Sequence, residues 1–467
     1  MDPSHSAEEA APYPPPARAL RVEEAAPYPP PARAWYLVGA LMFFYVFSFI
    51  DRQVIAFLIG PMKRDMALTD TQVGLIQGFG FAVLYTFLGL PIGRLADRIS
   101  RKKIVTVGVL VWSFMATMCG LARTGTDLFL ARVGVGVGEA ALSPAAYSLL
   151  TDSFPREKLG RAFGVYNMGI AIGSGIASLT AGFVIVAVSH VSHYTLPVLG
   201  EVRGWQLVFI ITGLPGVILP LLLLTVREPA RRGLLRAGGQ TKAVVPFSEV
   251  LAFVNANKSF YALHCVAFGL LAMVGYGVGA WLPEALVRAY RPDGLTISQV
   301  AKVLGLATMF LNAAGIFSAG RVSDHLAAKG MRDAPIVVAT GVALCIVLTS
   351  SVTPFMPSLS TLWIALAISA FPFSAYTSVG SMAINQVTPN QLRAQVSAIY
   401  LFVINVLGLG VGPALIPFIN DKLFHDPAKI RYSLAAVVVG GCLLAALLLW
   451  LVRPIYREKH AAAAEWQ

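Results

Sequence analysis

Apolar stretches long enough to cross a bilayer recur along almost the whole chain. A helix spans the roughly 30 Å hydrocarbon layer with about 20 residues. Such stretches fall near residues 35–59, 72–93, 103–122, 127–150, 161–188 and 205–226, and then near 259–287, 297–321, 335–354, 360–387, 393–419 and 431–452. They are numbered here as spans 1 to 12. Of the 467 residues, 56% are hydrophobic and 13% charged, and the mean hydropathy of +0.69 is far above that of a soluble protein. The fold class expected is an all-α membrane protein with twelve transmembrane helices in two six-helix bundles.

The net charge of +12 does not point to nucleic acid, because the basic residues collect in alternate inter-span loops. Arg94, Arg98, Arg101, Lys102 and Lys103 lie between spans 2 and 3, and Arg156, Lys158 and Arg161 between spans 4 and 5. Arg227, Arg231, Arg232, Arg236 and Lys242 follow span 6. By the positive-inside rule these loops and both termini are cytoplasmic, in a cell inner (plasma) membrane. Residues 1–34 carry "EEAAPYPPPARA" twice, at Glu8 and Glu23, and read as a disordered Pro-rich tail. The first bundle is expected over 35–226, a linker over 227–258, the second bundle over 259–455 and a short tail over 456–467. The four cysteines fall in apolar segments without paired spacing, as small buried hydrophobes do.

The halves echo each other. "GRLADR" at Gly93 follows span 2 and "GRVSDH" at Gly320 follows span 8, the internal duplication of many secondary transporters.

"GRLADRISRKK" resembles the signature loop of the major facilitator superfamily, and "LARVGVGVGEA" in span 4 and "VREPARR" after span 6 are similar to further motifs of that family. The resemblance covers about residues 35–455. It implies two bundles around a central site and a cytoplasmic gate built from Gly93, Asp97, Arg98 and Arg101, with Asp324 as the counterpart in the second half. Ser323 and His325 replace the alanine and arginine of the first loop, which implies a weaker latch there. Within the superfamily, "FIDRQVIAF" in span 1, "ARVGVGVGEAALSPAAYSLLTDSF" in span 4 and "TPNQLRAQVSAIYLF" leading into span 11 resemble the spinster-like transporters. That branch is associated with lysolipid and sphingolipid export.

Charges inside spans are the clearest pointers to function, because one ionised side chain at mid-membrane costs about 2.5–3.5 kcal/mol. Asp51 and Arg52 are adjacent in span 1, so their side chains diverge by about 100° and each needs a partner elsewhere. Arg132 and Glu139 in span 4 are seven residues apart, two turns on one face. Spans 1 and 4 run in opposite directions, which brings Asp51 and Arg132 to similar depth. In the family fold both helices line the central cavity, so the four residues form one expected cluster. Arg52 and Arg132 would grip an anionic headgroup bidentately, while Asp51 and Glu139 would load and release protons. The competing reading is a packing network of ion pairs.

Tyr45, Gln77, Tyr166, Asn167, Tyr276, Asn312, Tyr376 and Asn405 are polar-tipped groups within spans; Tyr45 and Tyr276 are the substrate-binding candidates among them. Glu284 and Arg288 read as a surface pair at i,i+4, and His264 as a hydrogen-bonded core histidine.

The sequence has no Walker loop, zinc-ligand spacing or nucleophile elbow, so no cofactor, metal or enzymatic activity is expected. The function expected is secondary active transport of an amphiphilic anion by a monomer, coupled to protons. Transport of a drug or small organic anion is the alternative. A passive scramblase or receptor stands behind both.

Overall fold

The structure is a computed structural model that describes residues 27–96, 98–188, 193–196, 200–231, 236–237, 240–241, 246–389 and 391–463. Twelve helical segments are long and apolar enough to cross a membrane. Span 1 is Pro31–Phe57, span 2 Asp70–Gly89, span 3 Arg101–Cys119, span 4 Gly125–Ser153, span 5 Arg161–Ala187 and span 6 Gly204–Thr225. Span 7 is Lys258–Ala289, span 8 Ile297–Ala328, span 9 Ala334–Phe355, span 10 Leu359–Gln386, span 11 Gln395–Phe424 and span 12 Pro427–Ala463.

Residues 1–26 of the expected Pro-rich tail and parts of the expected linker lie outside the described residues; the described remainder of each is partly helical. Span 1 opens at Pro31, because proline fits the first helical turn, where its missing N–H has no partner to lose. The linker contains an apolar helix, Phe247–Ala256. Span 12 continues to Ala463, into the region expected to be a tail. Cys119, Cys265 and Cys442 are buried as expected, but Cys345 is exposed on span 9.

The face where span 1 begins and span 12 ends is called the near face, and the opposite one the far face. Spans 2, 4, 8 and 10 begin at the far face behind a Ser or Thr. Thr69, Thr124, Thr296 and Ser358 each accept a hydrogen bond from the backbone N–H three residues on, and the side chain at that third position accepts from the cap's own N–H. These boxes satisfy the first free donors of each helix where it enters the membrane.

Within the first bundle span 1 packs on span 5, and span 3 on spans 4 and 6; in the second, span 7 packs on spans 11 and 12, and span 9 on span 12. The bundles meet along two seams, span 2 against span 11 and span 5 against span 8. Both seams are tightest toward the far face. A Cβ on Gly74 would sit 2.5 Å from the Pro413 carbonyl oxygen and 2.8 Å from Pro417 Cγ; one on Gly175 would sit 2.9 Å from the Gly305 oxygen. Ser298 Oγ donates to the Gly182 oxygen at 2.7 Å across the second seam. Toward the near face the halves touch more lightly, with Phe87 edge-on to Phe402 at 5.3 Å.

Gly74→Val is expected to force span 2 off span 11. Overpacking of a tight contact typically costs about 1–3 kcal/mol, so distances between spin labels at the far ends of these two helices should lengthen and broaden in the variant. An unchanged distribution would show that the seam yields elsewhere.

Candidate functional site: a buried charge cluster between the halves

Ser48 and Arg52 are one turn apart on span 1 and face span 4 together. Glu139 Oε2 accepts from Ser48 Oγ at 2.7 Å and from Arg52 Nε. The Arg52 guanidinium lies on an aromatic bed, 5.0 Å from the ring centre of Phe49, 4.7 Å from Phe81 and 4.6 Å from Tyr85. Arg132 sits 5.5 Å from the same Phe81 ring and donates from Nη1 to the Asp51 backbone oxygen at 3.1 Å. Ring faces stabilise these cations without neutralising them.

Asp51, Arg132 and Glu139 are each at most 3% exposed. Among the described residues, Asp51 Oδ1, Glu139 Oε1 and Arg132 Nε nevertheless have no hydrogen-bond partner, and neither does Gln77 Nε2. Buried polar atoms left unpaired cost about 1–3 kcal/mol each, so such a concentration is unusual in mere packing. Arg52, Arg132 and Gln77 line a cavity whose opposite wall is Tyr276, Ala280, Leu409 and Pro413 of the second half. Spans 1 and 4 therefore come together as the sequence implies, with one difference. Arg132 meets the backbone at Asp51 rather than its carboxylate, and Arg52 takes Glu139. The two tyrosine candidates separate: Tyr276 is on the cavity wall, whereas Tyr45 stacks flat on Tyr166 at 4.6 Å between spans 1 and 5.

At the near face, Arg101 is 1% exposed and ties three segments together. It pairs with Asp152 at the end of span 4, with Glu228 Oε1 at 3.1 Å and with the Pro229 oxygen at 2.9 Å. Ser100 Oγ and the Arg101 backbone N–H also donate to Glu228. Burial alone would raise the Glu228 carboxyl, but these bonds and the Arg101 charge outweigh it and hold the group below the ordinary glutamate value. Among the described residues a Cβ on Gly93 would meet only Pro144, at 3.8 Å, and the Arg98 backbone N–H donates to the Leu95 oxygen at 2.9 Å. Asp97 lies outside the described residues, and Asp324 is exposed at the end of span 8.

At the far face a second ionic cluster bridges the halves. Asp70, at the start of span 2, accepts from Arg288 of span 7 at 2.7 and 2.9 Å and also from Lys63. Arg288 keeps its bond to Glu284 at 2.9 Å. Asp421 of span 11 accepts from the Thr71 backbone at 3.0 Å and its hydroxyl at 2.6 Å. The Glu284–Arg288 spacing looks in sequence like a local surface pair, and Asp70 like an ordinary acid behind a helix cap. Only the meeting of the two halves makes them one cluster. His264 is the bonded core histidine expected, its Nε2 3.1 Å from the Gly380 oxygen.

Residues 41–413 match the family described as Major Facilitator Superfamily. The chain belongs to the major facilitator superfamily. Among curated relatives, an MFS-type efflux pump of Mycolicibacterium smegmatis is 28% identical, over 91% of this chain and 94% of its own. A probable L-galactonate transporter of Escherichia coli is 25% identical, over 87% of this chain and 86% of its own. Among solved structures, a bacterial homologue of the human lysosomal transporter spinster, crystallised inward-facing and unoccupied, superposes with a TM-score of 0.72 at 26% identity, covering 94% of this chain and 99% of that one. Spinster proteins also recur among the other relatives. This superfamily member is thus a spinster-like, multi-pass transmembrane transporter.

Asp70→Asn removes the charge that both Arg288 and Lys63 meet. Breaking a buried pair from one side costs about 3–5 kcal/mol, so paired distance probes across the far face should shift toward the open population. Glu228→Gln tests the near-face tie. A carboxyl held below its ordinary value stabilises the fold fully above that value and loses the contribution as pH falls from it through the lower value the group has in the folded protein. The wild type should therefore melt higher than the variant at neutral pH, and the two melting curves should converge under acid conditions.

Proposed function

We propose that this transporter carries an amphiphilic anion by alternating access, driven by protons, with both termini in the cytoplasm of the cell in whose inner membrane it sits. The observation that carries the reading is the partition of roles in the buried cluster. Arg52 is engaged by Glu139, Arg132 by a neutral carbonyl, and both guanidiniums reach one cavity between the halves. An anion entering that cavity competes with Glu139 for Arg52. Once displaced, the carboxylate is a buried charge without its cation and favours binding a proton. Substrate entry and proton uptake are thereby linked through one arginine.

The two gates supply the access cycle. Far-face ion pairs and glycine seams hold the halves together at that end, so in this reading substrate reaches the cavity from the near face, which in the proposed topology is the cytoplasm. The solved spinster homologue described as inward-facing has the same fold. Rocking to the opposite state must separate Asp70 from Arg288 and bring the near ends of the bundles together, where Arg101 and Asp324 lie. Each proton moving down 100 mV contributes about 2.3 kcal/mol to the cycle.

The cargo class expected is a lysophospholipid or sphingolipid, as the spinster resemblance implies. Flux into proteoliposomes with an imposed pH gradient tests both parts. Wild type should accumulate a lysolipid anion in a pH-dependent manner. Asp51→Asn and Glu139→Gln should each lower gradient-driven accumulation by at least about tenfold and flatten its pH profile; full retention in both variants would remove these carboxylates from the coupling. Robust uptake of a water-soluble organic anion with no movement of lysolipid would replace the lipid cargo with the small-anion alternative.

A further inference from the structure

A second cavity adjoins the arginine cavity, and Gln53 lines both. It is enclosed by spans 7, 8, 9 and 10, with Gln53 and Phe57 of span 1 and two serines of span 5 closing the remaining side. Among the described residues no charged one lines it, yet almost half of its lining side chains are hydroxyls or amides. Some of these are already committed: Ser178, Thr353 and Ser369 donate to carbonyls of their own helices. Others are not. Ser350 Oγ is buried without a partner. Asn312 uses only Oδ1, accepting from the Ser374 backbone at 3.1 Å, which leaves its amide donors unspent.

The backbone is also unusual at this wall. Span 8 widens into a π-helix over Ala307–Asn312, and two of its residues, Thr308 and Asn312, line the cavity. Such π segments redirect side chains and often mark functional sites. Here the widened turn falls where span 8 supplies its polar groups.

We propose that this neutral cavity is a second subsite, taking a hydroxyl-bearing part of the same anion that Arg52 and Arg132 hold. The inference rests on the anion reading of the first cavity. A plain alkyl chain would leave Ser350, Asn312 and Gln53 without partners in a dry site, whereas hydroxyl or ester oxygens next to the anionic group would satisfy them. Phe57 and Phe373 supply the apolar faces on which the carbon skeleton of such a group packs. The shared chemistry is an anion followed within a few bonds by oxygenated carbons, as in a glycerol phospholipid or a sugar acid. The charged cavity recognises the anion, and the neutral one discriminates among anions.

Calorimetric titration of the purified full-length protein tests this with two matched pairs. One is a lysophosphatidate against an alkyl phosphate of equal chain length; the other is a hexuronate against hexanoate. The hydroxylated member of at least one pair should bind about tenfold tighter or more, and which pair discriminates identifies the source of the cargo. Ser350→Ala and Gln53→Leu should each narrow that ratio several-fold. Because the ratio is read within one preparation, it does not depend on how much of a variant is folded. Equal affinities within both pairs, with binding still lost in Arg52→Gln, would overturn the second subsite and leave the anion site standing. A ratio unmoved by both variants would place the discrimination elsewhere and overturn it too. Failure of all four ligands to bind would overturn both readings together.

Discussion

Everything at the centre of this molecule depends on the fact that a guanidinium buried in a membrane protein must have a partner. Arg52 has Glu139, Ser48 helps to hold that carboxylate, and three aromatic rings bed the cation. Among the described residues Arg132 has only a backbone oxygen and a ring face. The cluster therefore carries two arginines with unequal satisfaction beside a carboxylate, Asp51, that has an oxygen with no partner. A network that only packs helices can often be replaced by well-packed apolar side chains with no loss of stability. Four ionisable groups, three of them with an unpaired polar atom, are what a site needs if its partners change during a cycle.

The ends of the bundles follow a related logic with opposite polarity. In the first half an arginine at the start of span 3, Arg101, is held by acids from span 4 and from the segment after span 6. In the second half an acid just before span 9, Asp333, is held by Arg453 at 2.7 Å and Arg457 at 3.0 Å near the end of span 12. Burial would raise the Asp333 carboxyl, but the bonds and charges of the two arginines prevail and keep it below the usual aspartate range. The duplicated halves thus keep the location of the tie and exchange the signs. Each tie lies within one bundle, so each stiffens its own half as a rocking body. Joining the halves falls to the far-face cluster and the two seams.

The twelve spans were legible because length and hydropathy alone determine which segments can cross a bilayer. Their errors are at the ends: Pro31 is a permitted helix start that reads as tail, and span 12 runs on into polar residues. The Asp51, Arg52, Arg132 and Glu139 cluster was legible because charges inside spans are costly enough to stand out singly. Its pairing was not, since helical phase cannot say whether Arg132 reaches the Asp51 carboxylate or its carbonyl. Asp70 with Arg288, and Thr71 with Asp421, were hidden because each residue has an innocent local explanation and the contacts join segments more than 200 residues apart.

The second cavity was hidden for a different reason. Serine, threonine and asparagine cost little inside a helix when they bond to the preceding turn, so their presence in spans 5, 8, 9 and 10 carries no signal one residue at a time. What matters is which of them have spare hydrogen bonds once the helices pack. Ser369 and Thr353 do not, whereas Ser350 does. The charged residues that sequence reading finds most readily would establish that the cargo is an anion. The neutral ones, of which only Asn312 stands out in the sequence, would decide which anion, because a guanidinium grips phosphate and carboxylate alike.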